Sequence, residues 1–319
     1  MSETHCPVKS LPNELLSTIL SELSSNDLLP AVAVDRLWHS LAVRILHRRL
    51  LSAASLPDNE LILECYHPSA KISTPYLSCR YLGMSVRDGP AGVSAAAMDG
   101  ECPSFADLRR LYSSFRPVKT EDNRQRRPRF GWIMPSVGSS AQAAAAAARE
   151  RDEDETATED VHLDDGERFS QLCTVTNVVK PGIRPGLFSH HINISDGVIR
   201  VFRHWLASMA SDNSAAAAVS NSSSSSSSEA TTSMFSSDDP RVLWVDDDAK
   251  SVGLRFRVMP GPSERMPLIS DPDEDDPPVT YKLVYEEILV RTSKLLLAAE
   301  QTTIPHAGLS GKDIIIAPM

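Results

Sequence analysis

The chain has 319 residues and a formal net charge of −10, with 41% hydrophobic and 23% charged residues, a composition that describes a globular protein with polar padding. Its acidic balance argues against a general nucleic-acid binder, whose affinity comes from neutralising phosphates. Five cysteines without a CxxC pair argue against a disulfide framework or a zinc ribbon, no apolar run approaches a membrane span, and MSETHCPVKS has no apolar signal core, so a cytoplasmic or nuclear setting is expected.

The first fifty residues carry the densest pattern. Pro12 stands where a helix begins, and Glu14 follows close behind to complement its dipole. Leu15, Leu16, Ile19, Leu20 and Leu23 read as one apolar stripe on that helix. Ser24, Ser25 and Asn26 break it, and Ser24 with Asp27 predicts the cap of a second helix carrying Leu28, Leu29, Val32 and Val34. Leu37, Trp38, Leu41 and Ile45 place a third stripe at helical spacing. Three helices this short bury little area, so the module is expected to be marginal alone and stable against a partner.

The order Leu11-Pro12-x-Glu14-Leu15-Leu16-x-x-Ile19-Leu20, then Asp27-Leu28-Leu29-Pro30, then Val34-x-x-Leu37-Trp38 resembles the F-box closely. The resemblance implies a short helical module that docks on the Skp adaptor of a cullin-RING ubiquitin ligase. Carried over, Leu11, Pro12, Leu15, Leu16, Ile19 and Leu20 face the adaptor, and Leu28, Val32, Val34 and Trp38 are mixed core and interface. One departure is Asp35-Arg36, where family members often carry Cys-Arg. Residues 1–50 hold basic and acidic side chains in equal number, which leaves no electrostatic footprint for a DNA-reading helical triplet.

Beyond residue 50 the pattern turns to strands. Leu61 to Tyr66, Leu172 to Val179, Val198 to Arg203, Arg241 to Val245 and Val252 to Val258 alternate or are rich in β-branched residues. Asp196-Gly197 predicts a two-residue hairpin turn after Ile192-Asn193-Ile194. Tyr281 to Val290 reads as a strand, with a helical pattern from Glu287 to Glu300. Two stretches have little to bury and are expected to be disordered insertions: acidic residues 136–168 and the Ser/Ala-rich 207–240.

The expected fold is therefore α+β. A three-helix module over 1–50 precedes a mainly antiparallel, sandwich-like β-rich domain assembled from 51–135, 169–206 and 241–303, the last ending in a helix before a tail at 304–319. SDGVIRVFRHWL, VGLRFRV and YKLVYEEILVRTSKLL in this domain are similar to an uncharacterised substrate domain of fungal F-box proteins.

Several residue groups in the larger domain invite other readings. His190-His191 with Asp196 suggests metal or acid–base chemistry, yet neighbours on a strand point to opposite faces, so no metal or catalytic site is assigned. Cys173 lacks the flanking signature of a nucleophile. Trp132, Trp205, Trp244, Phe202 and Tyr285 fit either a ligand groove or plain core packing. The run Arg109 to Arg129, with eight basic and two acidic side chains, fits a nuclear-localisation patch, a contact for an acidic degron, or a counter-charge to the acidic insertion. Together these readings describe a non-catalytic substrate receptor without cofactors, bound to the Skp adaptor and through it a cullin, holding an unidentified target protein and neither nucleic acid nor membrane. The alternative is an adaptor-bound scaffold working outside a ligase.

Overall fold

The computed structural model describes residues 11–71, 74–87, 104–119, 156–182, 187–220, 239–261, 278–303 and 314–315. Three helices open the chain: α1 (Asn13–Ser21), α2 (Ser25–Val32) and α3 (Arg36–Ala53). Pro12 precedes α1 at φ −56° with Glu14 in the first turn. Ser24 caps α2 as its spacing predicts, its Oγ accepting from Asp27 N at 3.2 Å. Asp35 caps α3 by accepting from Arg36 N at 2.7 Å.

Among the described residues ten strands follow: β1 (Glu60–Tyr66), β2 (Leu77–Val86), β3 (Leu111–Lys119), β4 (Thr158–Leu163), β5 (Phe169–Pro181), β6 (Leu187–Phe202), β7 (Val242–Trp244), β8 (Val252–Pro260), β9 (Val279–Arg291) and β10 (Ile314–Ile315). Between them lie a single-turn helix α4 (Phe105–Leu108), α5 (Arg203–Ser220) and α6 (Thr292–Thr303). The strands form one continuous antiparallel sheet, ordered β10-β6-β5-β1-β2-β3-β9-β8-β7, with β4 beside β3 along the same edge of β9.

The β-rich, antiparallel expectation holds, but the strands are not divided between two sheets. The single sheet curls until its ends meet. Val201 and Ile199 of β6 share a buried cluster with Val252, Leu254, Phe256 and Val258 of β8, although five strands separate β6 from β8 in the ladder. A Cβ on Gly197 of β6 would stand 2.7 Å from Val245 Cγ1, just past β7. Only glycine permits that approach.

Asp196-Gly197 is consequently no hairpin turn. Strand β6 runs straight through it, with Asp196 opposite Val175 and Gly197 opposite Thr174 in β5. The ladder shifts nearby, where Ile194 is the extra residue between Ser195, opposite Thr176, and Asn193, opposite Asn177. The glycine serves close packing across the closing sheet, a demand that local sequence cannot distinguish from a turn.

Both expected insertions are partly ordered. The acidic stretch 136–168 supplies β4, whose Val161 and Leu163 are buried in the sheet core while Asp160 and His162 alternate outward. The stretch 207–240 begins inside α5, where Leu206 and Met209 pack on the same core. A few well-spaced apolar residues suffice here because the sheet already provides the partner surface. Ala143–Ala148, Ser222–Ser228, Trp132 and Arg126–Arg129 lie outside the described residues. Ile314 and Ile315, within the expected tail, pair with β6.

The helical module is fastened to the sheet by α6. Leu295 and Ala298 enter the sheet core, while Leu296 joins Leu16, Leu20, Leu28, Leu41, Leu46 and Leu50 in the helical core. At the far end of α6, Glu300 accepts from Ser25 N (3.1 Å), Ser25 Oγ (2.6 Å) and Arg49 Nη1 (3.4 Å). Its carboxylate thereby satisfies a first-turn amide of α2 and complements that helix's dipole. Arg49 also donates to Ser21 O and Leu23 O, both at 2.6 Å, closing the α1–α2 connection.

Two outcomes follow from this packing. Glu300→Ala should destabilise the protein by about 1–3 kcal/mol by stranding Ser25 and Arg49, with faster amide exchange in α2 and unchanged exchange in β5 and β6. Burial pushes the Glu159 carboxyl of β4 from 4.5 up to about 6, and the Asp160 charge adds to this against a backbone hydrogen bond from His67. Folded Glu159 holds a proton that the unfolded chain has released, so its contribution is complete below pH 4.5 and disappears as pH rises through about 6. Urea midpoints of wild type and Glu159→Gln across that window should diverge in this direction.

Candidate functional site

The five apolar residues of α1 and the turn after it form two rows rather than one stripe. Leu16 and Leu20, spaced by four, face α3 and are 2% and 1% exposed. Leu15 and Ile19, one position earlier on each turn, are 51% and 55% exposed. A 100° step per residue puts adjacent leucines on different flanks of the helix. Leu23 continues the outer row.

The same division runs through the other two helices. Leu28 is fully buried, whereas Leu29 beside it is exposed. Val34, in the turn before α3, is 66% exposed, and Leu37 at the start of α3 is exposed too. Leu11, Val32 and Trp38 are half-buried, packed against the helical core while keeping some surface. Pro12 is exposed.

Of the six residues expected to face the adaptor, Leu16 and Leu20 are buried in the free module, and Leu28, expected as mixed core and interface, is buried as well. They complete the helical core and present no surface to a partner in this structure. Leu11, Pro12, Leu15, Ile19, Val32, Val34 and Trp38 retain surface. Leu29 and Leu37 are additional exposed apolar residues on the same helices, adjoining the ones expected. Periodicity alone gives a row of apolar residues its spacing but not its partner, since both rows of α1 repeat at four residues.

Exposed leucine, isoleucine and valine in this density are unusual outside a docking surface. Each is partly exposed, so burying the area that remains is worth about 0.5–2 kcal/mol. The module's own core is closed without them.

Residues 8–52 match the family model of the F-box-like domain. The N-terminal module is an F-box-like domain. No curated protein matches the chain, and no solved structure does. An F-box-like domain implies binding to a Skp-type adaptor, and such domains are typically adaptor modules rather than catalytic ones.

The remaining sequence-derived groups do not converge. His190 and His191 stand opposite Lys180 and Val179 in the β5–β6 ladder, and His190 Nδ1 lies 3.4 Å from Ser189 Oγ. Asp196 is five positions further along the strand from His191. Among the described residues, no His, Cys, Asp or Glu group has metal-site geometry. The aromatic residues are dispersed. Trp205 Nε1 donates to Pro240 O at 2.7 Å, Tyr285 packs on Phe256 in the core, Trp244 meets Tyr112 edge-on, and Phe202 pairs with Phe169 at the surface. Cys65 and Cys79 are buried, and burial pushes the Cys65 thiol up to about 12.

The two rows of α1 predict opposite behaviour. Leu20→Ala should cost about 2–5 kcal/mol of folding stability, and Leu15→Ala with Ile19→Ala should each stay within about 0.5 kcal/mol of wild type. Chemical denaturation of the three variants measures the contrast.

Proposed function

We propose that this chain is a substrate-receptor subunit of an SCF-type cullin-RING ubiquitin ligase, docking on the Skp adaptor through its F-box-like domain and presenting a target protein on its sheet domain. The observation that carries this reading is the outer apolar row of Leu15 and Ile19, with Leu29, Val34 and Leu37, on a module whose interior is already complete. A helical module needing no further core has no internal use for those side chains, and a partner helix or groove would bury them.

The mechanism is proximity. A target held on the sheet domain, with the F-box-like domain fixed to it by α6, places a target lysine near the charged conjugating enzyme and raises its effective concentration. Catalysis belongs to other subunits in this arrangement. Rigid attachment matters because a fixed span between adaptor and target restricts which lysines are reached.

The test is co-purification of the full chain with the adaptor and the cullin. Wild type should recover both. Leu15→Asp with Ile19→Asp should abolish recovery while the circular dichroism spectrum and thermal midpoint stay close to wild type, because both positions are exposed in the free protein. Leu11→Ala with Pro12→Ala should weaken recovery in the same assay. Adaptor without cullin would replace the ligase reading with a scaffold outside it, and undiminished adaptor binding by the double aspartate variant would sink the interface.

A further inference from the structure

At the strand ends beside α4 is a cleft of about 310 Å³ lined by Arg87, Ala106, Arg109, Arg110, Tyr112 and Arg291. Among the described residues that line it, four of six are arginines and none is acidic, in a chain whose net charge is −10. Arg87 follows β2, Arg109 and Arg110 precede β3, and Arg291 ends β9, so three neighbouring strands bring the four guanidinium groups together.

The walls hold those groups in place. Arg291 Nη2 donates to Tyr112 Oη at 3.3 Å and to the carbonyl of Ala249, while its buried Nε has no hydrogen-bond partner among the described residues. Tyr112 is buried, and its hydroxyl donates to Lys250 O at 2.6 Å. Arg87 N donates to Arg110 O at 2.9 Å, which ties the two strand ends together, and the Arg87 guanidinium lies 5.6 Å from the centre of the Trp244 ring. Arg109 and Arg110 are exposed at the rim.

Among the described residues, Asp107 precedes the rim arginines and Asp246–Asp248 precede the Ala249 and Lys250 carbonyls of the wall, with Asp246 Oδ1 accepting from Asp248 N and Ala249 N, both at 3.1 Å. Asp107 accepts from Ser104 N (3.0 Å) and Ser104 Oγ (2.6 Å) in the cap of α4, and those bonds, with a smaller contribution from the Arg110 charge, hold its carboxyl below the usual range. Glu159 and Asp160 of the acidic stretch pair with Leu283 and Lys282 of β9. Leu283 is eight residues from Arg291, about 26 Å along an extended strand. Those two carboxylates therefore do not neutralise this cleft.

We infer that the Arg87–Arg109–Arg110–Arg291 cleft is a binding site for a phosphate monoester. A carboxylate neutralises one guanidinium, whereas a phosphate dianion offers three acceptor oxygens to several planar forks, which bind such oxygens bidentately. The site is on the sheet domain and stands whether or not the helical module meets an adaptor. Free phosphate esters and phosphorylated side chains share this chemistry.

Calorimetric titration of the full chain at near-physiological salt tests it, using O-phosphoserine, a phosphoserine peptide, the same peptide unphosphorylated, and sulfate. Saturable binding of O-phosphoserine or the phosphopeptide is expected, with at least tenfold weaker binding of sulfate and of the unphosphorylated peptide. Arg109→Gln with Arg110→Gln, both exposed and safe for folding, should weaken it tenfold or more, and Arg291→Lys should weaken it while keeping the charge. Similar affinity for both phosphate ligands identifies a small ester as sufficient, and a much tighter phosphopeptide identifies a protein source. Absence of saturable binding by either, or affinity unchanged in the double variant, overturns the site. Adaptor recovery by that same variant should equal wild type, so the outcome is separate from that of the helical face.

Discussion

Helix α6 turns Leu295 and Ala298 into the sheet core and Leu296 into the helical core, so one twelve-residue element belongs to two hydrophobic interiors at once. A curled sheet with a large apolar interior needs something to cover its open end, and three short helices need a surface to complete their own core. Each supplies what the other lacks, and Glu300 fixes their alignment through Ser25 and Arg49. The hydrophobic contacts provide most of the attachment. The partly exposed Glu300 cluster adds direction more than energy, because solvent screens much of its charge.

That attachment has a functional consequence. Because the inner rows of α1 and α2 are committed to the module and to α6, the outer residues Leu15, Ile19, Leu29, Val34 and Leu37 are left facing solvent. The exposed apolar surface of the module is thus defined by subtraction. The arginine cleft arises from the same construction, since α4 packs Phe105 and Leu108 against the helical core and the residues just after it, Arg109 and Arg110, form the cleft rim.

The sheet pays for its closure in specific places. Gly197 keeps Val245 close by having no side chain, and Arg255, nearly fully buried in β8, is held between Glu287 and Asp239. A buried guanidinium demands such partners, and removing one of them typically costs about 3–5 kcal/mol. These features mark where the β7–β8 end must fit against the rest of the sheet.

Much of the helical module was legible in sequence. Pro12, the Ser24–Asp27 cap and apolar residues four apart depend on local backbone geometry, which neighbours along the chain determine. Strand character in β1, β5, β8 and β9 was legible for the same reason. Local pattern did not reveal which α1 row faces inward, that Asp196-Gly197 lies mid-strand, or that Val161, Leu163 and Met209 in polar stretches reach the core. It placed Arg109 and Arg110 in one basic run but gave no sign that Arg87 and Arg291 join them. Each of those facts depends on residues distant in sequence meeting across the curled sheet, and long-range pairing is what only the tertiary structure decides.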